Sequence, residues 1–486
     1  MQRRRFLQQS ALALGAGALA DAFPRVAFAD NQTARAPRPH PEGFPAGFLW
    51  GSATASYQVE GGVHEGGRGP SVWDTFSHTA GKVANGDTGD VADDFYHRFP
   101  QDIRLMQELG IKTFRFSVAW SRIFPSGTGK PNPQGLDFYH RLTDALLAAG
   151  IEPYCTLFHW DLPQALQDRG GWENRDTASA FADYAGYTAG ALSDRVKHFM
   201  TMNEMRSFVE LGYGNGMHAP GLKLSPQKLA QLTHYVCLAH GLSVQAIRAH
   251  AKPGIMVGIA DNVTAATPVI ETAEHIEAAR RAMREENAMY QTVIQEGRYT
   301  DHYLKRLGAN APRFTAEELR IISSPMDFLG LNVYAPSYVR ADSSERGYAM
   351  VQAPASYPHM YSSWLTVGPE ALYWAPKLVT DIWKVKTVFI TENGASSADI
   401  VAADGEIYDT DLVMYLRNYL TQLQRAVEEG VPVKGYFLWS LLDNYEWADG
   451  YEKRFGIVYV DFKTQKRTPK LSAKFYKEVI RANRVK

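Results

Sequence analysis

The sequence has little of what metal, redox or disulfide chemistry requires. Its only two cysteines are Cys155 and Cys237, and no Cys-x-x-Cys pair or His-Glu-x-x-His spacing occurs. A zinc site of familiar spacing and a disulfide framework are therefore not indicated. Cys155 lies in an apolar, strand-like run and Cys237 in a helical pattern, which favours two buried free thiols over a disulfide. We predict no metal and no cofactor.

Blocks of like charge are also missing. The formal net charge is −1 and no basic block is present, so neither nucleic acid nor a membrane surface is predicted as a partner. The Gly-rich stretch 61–69 lacks the Lys-Ser/Thr of a phosphate-binding loop, and we interpret it as a surface loop. Aromatic residues, by contrast, are abundant. The 10 Trp and 25 Tyr suit a cleft for sugars or aromatic ligands.

The first residues have the pattern of an export signal rather than of folded structure. Arg3, Arg4 and Arg5 precede Phe6-Leu7 and an apolar, Ala/Gly-rich run, and Ala27-Phe28-Ala29 offers a small-x-small cleavage site. The apolar run is too short and too often broken by Gly to span a bilayer. Arg-Arg-x-Phe-Leu resembles the twin-arginine signal, which exports proteins already folded. An ordinary secretory signal is the alternative.

Three segments follow from this pattern. We predict a twin-arginine-type signal peptide over residues 1–29, a flexible tether rich in Pro, Ala and Arg over 30–42, and one folded domain over 43–486. The predicted location is the periplasm, with the extracellular space as the alternative.

From residue 44 onward, strand-like runs alternate with helical patterns about eight times. The strands are short apolar or β-branched runs, and the helices show apolar residues at helical spacing. Strand followed by helix, repeated without a break in composition, predicts an α/β fold of the (β/α)8 TIM-barrel type. The predicted strands are 48–56, 113–120, 152–158, 198–203, 255–260, 326–334, 387–391 and 433–441, and the helices are 94–109, 135–149, 177–195, 225–251, 271–296, 369–383, 410–429 and 469–483. Residues 335–368 are predicted to be a long, functional insertion.

Two predicted strands end in a carboxylate. The run 387–391 leads into Glu392 before Asn-Gly turns the chain, and 198–203 leads into Glu204. A lone Glu at such a place is more often a helix cap or a loop acid. Ligands bind at the carboxyl ends of barrel strands, however, so two carboxylates in equivalent places predict a pair that faces across the barrel mouth.

The other strand ends carry amides, an imidazole and indoles. Singly, His159 could be a core histidine and Trp439 simple packing. Together these groups are suited to a polyhydroxylated ring, with hydrogen bonds to its hydroxyls and aromatic faces against its C–H surfaces. The residues concerned are Gln58, Arg115, His159, Trp160, Asn203, Asn332, Tyr334 and Trp439, with Glu446 and Trp447 shortly after the eighth strand.

Eight blocks of sequence, in order, resemble glycoside hydrolase family 1, the β-glucosidase family. They are FLWGSATASYQVEGG (48–62), FRFSVAWSRIFP (114–125), FHWDLP (158–163), TMNE (201–204), DFLGLNVY (327–334), ITENG (390–394), WSLLDNYEW (439–447) and KRFGIVYVDF (453–462). The resemblance implies a retaining β-glucosidase acting on small oligosaccharides or on aryl and alkyl β-glucosides. Tolerance of β-galactosides and β-fucosides is also expected.

The resemblance further implies that Glu204 is the general acid/base and Glu392 the nucleophile. A retaining enzyme needs two carboxyl groups about 5–5.5 Å apart. Arg115 would hold Glu392 ionised by its positive charge, and Tyr334 would hydrogen-bond the same carboxylate. The implied substrate-binding residues are Gln58, His159, Asn203, Asn332, Trp439, Glu446, Trp447 and, from a loosely matched block at 362–370, Trp364.

Two positions modify this expectation. Met205 stands where the family usually has Pro, and since proline fixes φ, the loop after the fourth strand is expected to be less constrained here. Glu446, as an anion, would repel a phosphate, which favours a neutral sugar over a 6-phosphorylated one.

Two other functions are compatible with the same residues. A transglycosylase would share every catalytic residue and pass the glycosyl group to an alcohol instead of water. A non-catalytic sugar-binding domain on the same scaffold is the other alternative, because fold alone does not determine function. Such domains tend to lose a catalytic carboxylate, whereas this sequence keeps both Glu204 and Glu392.

Overall fold

Eight parallel strands close into a barrel within residues 43–485, the part of the chain that the computed structural model describes. The strands are β1 Leu49–Ala53, β2 Thr113–Ser117, β3 Glu152–Thr156, β4 His198–Asn203, β5 Met256–Asp261, β6 Phe328–Asn332, β7 Val388–Asn393 and β8 Val433–Trp439. Because β1 pairs with both β2 and β8, the barrel has no free edge. The predicted signal peptide and tether, residues 1–42, lie outside the described residues.

A long helix follows each barrel strand before the next one begins. These helices are α1 Phe95–Leu109, α2 Pro133–Ala148, α3 Asp176–Leu192, α4 Pro226–His250, α5 Ala273–Glu286, α6 Ala371–Trp383, α7 Thr410–Glu428 and α8 Leu471–Ala482. Their starts follow local rules, as where the Ser225 hydroxyl accepts from the Lys228 amide and Pro226 occupies the first turn of α4. The prediction of a (β/α)8 TIM barrel is confirmed.

Shorter elements occupy the connections. Short α-helices lie at Ser56–Val59, Val72–Ser77, Trp120–Ile123, Gln164–Gln167, Met205–Val209, Val293–Glu296, Asp301–Leu307 and Ala316–Ile322. Single 3-10 turns lie at Ala84–Gly86, Gly171–Glu173, Gly308–Asn310 and Trp447–Asp449, and π-turns at Glu210–Gly214 and Ala288–Thr292. Strands Ala266–Pro268, Ser337–Ala341 and Tyr348–Met350 form a small sheet that includes part of the 335–368 insertion, and Val458–Asp461 pairs with Lys466–Pro469.

The helix predicted over 271–296 is interrupted after Glu286, and Asn287 explains the break. Its side-chain Nδ2 donates to the Met283 carbonyl, and its Oδ1 accepts from the backbone N–H of Thr264. An Asn side chain that bonds nearby backbone competes with helix continuation. The interruption ties α5 to the loop that follows β5, at the mouth of the barrel.

Aromatic side chains fill the lower interior of the barrel, the part that lies away from the carboxyl ends of the strands. Tyr154 on β3 stacks on His198 with ring centroids 4.1 Å apart, and Phe389 and Phe437 pack against Tyr154 at 5.5 and 4.9 Å. A filled lower interior leaves the carboxyl ends of the strands as the place for a ligand.

Other sequence expectations concern cysteines and the membrane. Cys155 and Cys237 are both free and buried, as predicted. Across residues 43–485 no helix combines the length and apolar character that crossing a bilayer requires. In the same residues no group of three or more His, Cys, Asp or Glu side chains is placed to hold a metal ion.

Candidate active site

A cavity of about 850 Å³ opens at the carboxyl ends of the barrel strands. Ten of the twelve residues to which the resemblance gives a role line it: His159, Asn203, Glu204, Asn332, Tyr334, Trp364, Glu392, Trp439, Glu446 and Trp447. The other two lie directly behind its wall. Arg115 contacts Glu392, and Gln58 contacts Glu446. Residues from most of the barrel strands therefore meet at one site.

Glu392, near the end of β7, has a cation as its principal partner. Arg115 Nη1 donates to Glu392 Oε1 at 2.6 Å, and the Tyr334 hydroxyl donates to Oε2 at 2.8 Å. Burial raises the pKa of Glu392, while the Arg115 charge and the hydrogen bonds from Arg115, Tyr334 and Asn332 act against that rise. A carboxylate held by a guanidinium and a phenol is stabilised in its charged form.

Glu204, just after β4, has neutral partners instead. Asn332 Nδ2 donates to Oε1 at 2.8 Å and the Ser207 hydroxyl donates to Oε2 at 2.8 Å. Burial, and next the negative charge of Glu392, raise the pKa of Glu204 to about 8. At neutral pH this carboxyl group is therefore held mainly in its protonated form.

The two carboxyl groups belong to one hydrogen-bond network. Arg115, which bonds Glu392, also donates through Nη2 to Asn203 Oδ1 at 2.6 Å. Asn332, which bonds Glu204, donates to the same Asn203 oxygen at 3.0 Å. In the sheet, Asn332 is the register partner of Glu392 across β6 and β7. Small shifts of either carboxyl group are thus resisted by shared, fully buried donors.

The tautomer of His159 follows from this network. Asn203 Oδ1 faces donors only, so Asn203 Nδ2 is the atom that meets His159 Nε2, at 3.0 Å. Nε2 must then accept, and the ring proton lies on Nδ1. Burial, followed by the Arg115 charge, holds the pKa of His159 well below its usual range. Nδ1 has no hydrogen-bond partner among the described residues, which leaves a neutral N–H donor for a ligand hydroxyl.

Glu446 corrects one expectation. Burial, together with the negative charges of Asp449, Glu392 and Glu204, raises the pKa of Glu446 well above its usual range. These surroundings disfavour the Glu446 anion, so its charge gives no reason to expect that a phosphorylated sugar is repelled. Gln58 Nε2 donates to Glu446 Oε2 at 3.3 Å, while Gln58 Oε1 is buried without a partner in the described residues. Both side chains retain hydrogen-bonding capacity for a ligand.

Indole rings form the walls of the cavity. Trp447 packs on Trp160 with centroids 4.5 Å apart, and Trp439 stacks over His159 at 5.8 Å. Trp364, from the 335–368 insertion, is 55% exposed and lies against Tyr334 at 5.7 Å. The flat faces near the carboxylates suit a sugar ring, and the exposed Trp364 suits a leaving group at the entrance.

The structure does not bear out a less constrained loop at Met205. The side chain is fully buried, and Glu204 before it has φ of 46°, in the left-handed region. The Glu204 N–H bonds the Ala260 carbonyl at 2.8 Å. Packing and β5 thus hold this segment, where proline would have done so through its ring.

Met205 also supplies a backbone N–H that proline would lack. Burial raises the pKa of Asp261, at the end of β5, and the side chain of Gln291, the charge of Arg206 and the backbone N–H groups of Asn262 and Met205 act against that rise. The Asp261 charge in turn raises the pKa of Glu204. Methionine in place of proline at 205 therefore adds an N–H that opposes the rise in the pKa of the buried Asp261 carboxyl group.

Several cavity residues were not among those predicted. They include Arg206, Ser207, Met217, His218, Asn262, Lys453 and Phe455. Trp160, by contrast, follows His159 at a strand end and lines the cavity as that position predicted. Ser207 lies three residues after Glu204, one helical turn away, and Asn262 directly follows β5, but neither spacing by itself indicates a site.

Comparisons with known proteins agree with this geometry. The profile of glycosyl hydrolase family 1 matches residues 40–485. The chain is 45% identical to "Beta-glucosidase A" of Acetivibrio thermocellus over 444 residues, which cover 90% of this chain and 98% of that protein. It is 41% identical to the "Bifunctional beta-D-glucosidase/beta-D-fucosidase" of Bifidobacterium breve, with 90% and 98% covered.

Solved structures are similar as well. The family 1 β-glucosidase from Thermotoga maritima matches with a TM-score of 0.84 and 41% identity, over 92% of this chain and 99% of that one. The same enzyme in complex with deoxynojirimycin also matches with a TM-score of 0.84. With its barrel, its paired carboxylates and a family match over nearly the whole described chain, this protein belongs to glycosyl hydrolase family 1.

Proposed function

We propose that the protein is a retaining β-glucosidase that releases terminal β-D-glucosyl residues from short oligosaccharides and from aryl or alkyl β-glucosides. The observation that carries this is the contrast between two buried carboxyl groups in one network: Glu392 bonded to Arg115, and Glu204 bonded to an amide and a hydroxyl. One is stabilised as an anion and the other as an acid, which is the division of roles that double displacement requires.

In the first step the Glu392 carboxylate attacks the anomeric carbon. The glycosidic C–O bond breaks, and Glu204 gives its proton to the departing oxygen, so an alcohol leaves and a glycosyl ester forms on Glu392. Esterification removes the Glu392 charge, which is one of the causes that raise the pKa of Glu204. With its pKa lowered, Glu204 stays ionised after giving up its proton, and as a carboxylate it takes a proton from water as that water opens the ester.

The remaining polar groups would hold the sugar. His159 Nδ1 and the second N–H of Asn203 Nδ2 are donors, and Gln58 Oε1 is a buried acceptor without a protein partner among the described residues. Sugar hydroxyls both donate and accept, so they can satisfy all three. The bifunctional relative from Bifidobacterium breve supports tolerance of β-fucosides by this site.

The test uses protein beginning at residue 30 and four aryl substrates: β-glucoside, β-galactoside, β-fucoside and 6-phospho-β-glucoside. Proton NMR identifies the anomer of glucose that appears first. The proposal requires β-glucose first, because two inversions restore the starting configuration. α-Glucose appearing first, or no hydrolysis of any of the four, would overturn it. Addition of alcohols in the same assay measures transfer to acceptors other than water.

We also propose that the protein is exported folded, to the periplasm. Support comes from Arg3-Arg4-Arg5-Phe6-Leu7, the apolar run after it and Ala27-Phe28-Ala29. Fractionation of cells that express the full chain should recover activity in the periplasm. Replacing Arg3 and Arg4 by Lys should trap it inside, and unchanged export by that variant would favour an ordinary secretory signal instead.

A further inference from the structure

Beside Glu204 the cavity wall carries two polar side chains without a role in the mechanism above. Ser207 lies on the short helix Met205–Val209, and its Oγ is 2.8 Å from Glu204 Oε2. Asn262, directly after β5, places Nδ2 2.8 Å from the same Ser207 Oγ. Both residues line the cavity. A relay therefore runs from the end of β5 through a hydroxyl to the carboxyl group.

The donors and acceptors of this relay have a defined direction. Asn262 Nδ2 can only donate, so Ser207 Oγ accepts there and its single hydrogen is directed to Glu204. The other carboxyl oxygen, Oε1, accepts from Asn332. Glu204 is thus held at both oxygens by neutral donors, and each oxygen keeps one further position at which the acidic proton can lie.

We propose that Ser207, oriented by Asn262, is a positioning residue that sets the acidity and the orientation of the Glu204 carboxyl group. This inference rests on the proposed function. A hydroxyl that donates to a carboxylate stabilises the charged form. It therefore opposes the rise in the pKa of Glu204 that burial and the neighbouring carboxylates cause. In the first step it fixes the orientation of the carboxyl group that protonates the leaving oxygen, and in the second it stabilises the carboxylate that activates water.

Other charged and titratable groups face Glu204 from every side and stay in place when Ser207 is changed. Glu392 on β7 and Asp261 on β5 raise its pKa. The rest are Arg115 on β2, held by Glu392 and Asn203; neutral His159 after β3; Tyr334 after β6; Glu446 after β8; and Arg206 on the same helix, bonded to Glu286 and Asn287. A change in acidity in a Ser207 variant is therefore attributable to the hydroxyl.

The experiment compares Ser207→Ala with Ser207→Thr, which keeps a hydroxyl. For each, kcat/KM on phenyl β-glucoside is measured across the basic limb of the pH profile, where Glu204 loses its proton. Removal of a hydrogen bond to a charged group should move this limb of Ser207→Ala to higher pH by about one unit, and Ser207→Thr should restore it. Ser337→Ala is the matched control, a serine of the same cavity without a bond to either carboxylate among the described residues, and its limb should stay in place.

A second readout uses leaving groups. The loss of kcat/KM in Ser207→Ala should be larger for phenyl than for 2,4-dinitrophenyl β-glucoside, because only the poorer leaving group needs the proton. Should Ser207→Ala fail to fold, Asn262→Ala takes its place, and a smaller shift in the same direction is expected.

Three outcomes separate the interpretations. An unmoved basic limb with a KM raised only for certain leaving groups would mean that Ser207 contacts substrate, and would overturn the inference. Equal shifts in Ser207→Ala and Ser207→Thr would assign the effect to packing and also overturn it. Wild-type protein that hydrolyses no aryl glucoside would instead overturn the proposed function.

Discussion

Glu392 and Glu204 occupy equivalent places, yet their surroundings give them opposite chemistry. Each follows an apolar run, each is buried, and each accepts two hydrogen bonds from other side chains. The difference is one guanidinium. Arg115 contacts Glu392, whereas no cation hydrogen-bonds Glu204 among residues 43–485. Burial favours the protonated form of both, and only Glu392 has a partner charge that opposes it.

The largest effect on activity should come from removing Glu392, the carboxylate stabilised as an anion. Glu392→Ala deletes the group that forms the covalent bond, so kcat on every substrate should fall by about 10⁵-fold or more. Azide can enter the space left by the carboxylate and attack the anomeric carbon once, which gives an α-glucosyl azide of inverted configuration. NMR of the product checks this. A β-configured azide would contradict the assignment of Glu392 as nucleophile.

Removing the acid should produce a loss that depends on the leaving group. Glu204→Ala is expected to lower kcat/KM on phenyl β-glucoside by about 10²–10⁴-fold, and much less on 2,4-dinitrophenyl β-glucoside, which needs no proton. Azide should now intercept the glycosyl ester on Glu392 and give a β-glucosyl azide. Kinetics with the two substrates and NMR of the azide provide the measurement. Equal losses on both substrates would show that Glu204 is not the acid.

Removing the Arg115 charge should make the acidities of Glu392 and Glu204 more alike. Arg115→Gln keeps an amide donor but leaves Glu392 without its cation, and breaking a buried ion pair costs about 3–5 kcal/mol. The pKa of Glu392 should rise, because the cation lowers it. Glu392 acts only when ionised, so the acidic limb of kcat/KM should move to higher pH and activity at neutral pH should fall. An acidic limb that stays in place would contradict the role of Arg115.

The smallest effect is expected at Met205. Met205→Pro removes the N–H beside Asp261, which should raise the Asp261 pKa further and thereby weaken its charge. Since that charge raises the pKa of Glu204, the basic limb should move to lower pH by a few tenths of a unit. kcat should stay within about threefold because Met205 is the first residue of its helix, where proline is tolerated.

A matched control is Met205→Leu, which keeps both the N–H and most of the buried volume. Its basic limb should match that of the wild type. If Met205→Leu and Met205→Pro shifted the limb equally, buried packing at this position would be responsible, and the N–H would have no part in the acidity of Glu204.

The positions of Glu204 and Glu392, and the main partners of Glu392, were predictable from the sequence. Glu204 and Glu392 were found because each follows a short apolar run that ends at a turn, a local pattern that needs no knowledge of distant residues. Arg115 and Tyr334 were assigned by resemblance, and the structure places them on Glu392. Boundaries shifted by a few residues, as at β8, predicted to reach 441 and observed to end at Trp439.

Ser207 and Asn262 could not have been found in the same way. Serine one turn after a catalytic residue and asparagine after a strand are common, and they gain meaning only because β4 and β5 are adjacent in the barrel. The same holds for Glu446. Its charge was inferred from its residue type, while its pKa depends on burial and on the charges of Asp449, Glu392 and Glu204, which the fold brings near it.

The sequence alone determined the alternation of strands and helices, and with it the barrel and the end of the barrel where carboxylates gather, because hydrophobic periodicity and turn residues act over a few neighbours. The family resemblance already implied which carboxyl group is the nucleophile and which the acid, but only the tertiary structure shows the contacts that separate their acidities, Arg115 on Glu392 and an amide and a hydroxyl on Glu204. Acidity depends on burial and on charges within a few ångströms, and those neighbours come from strands that lie far apart along the chain.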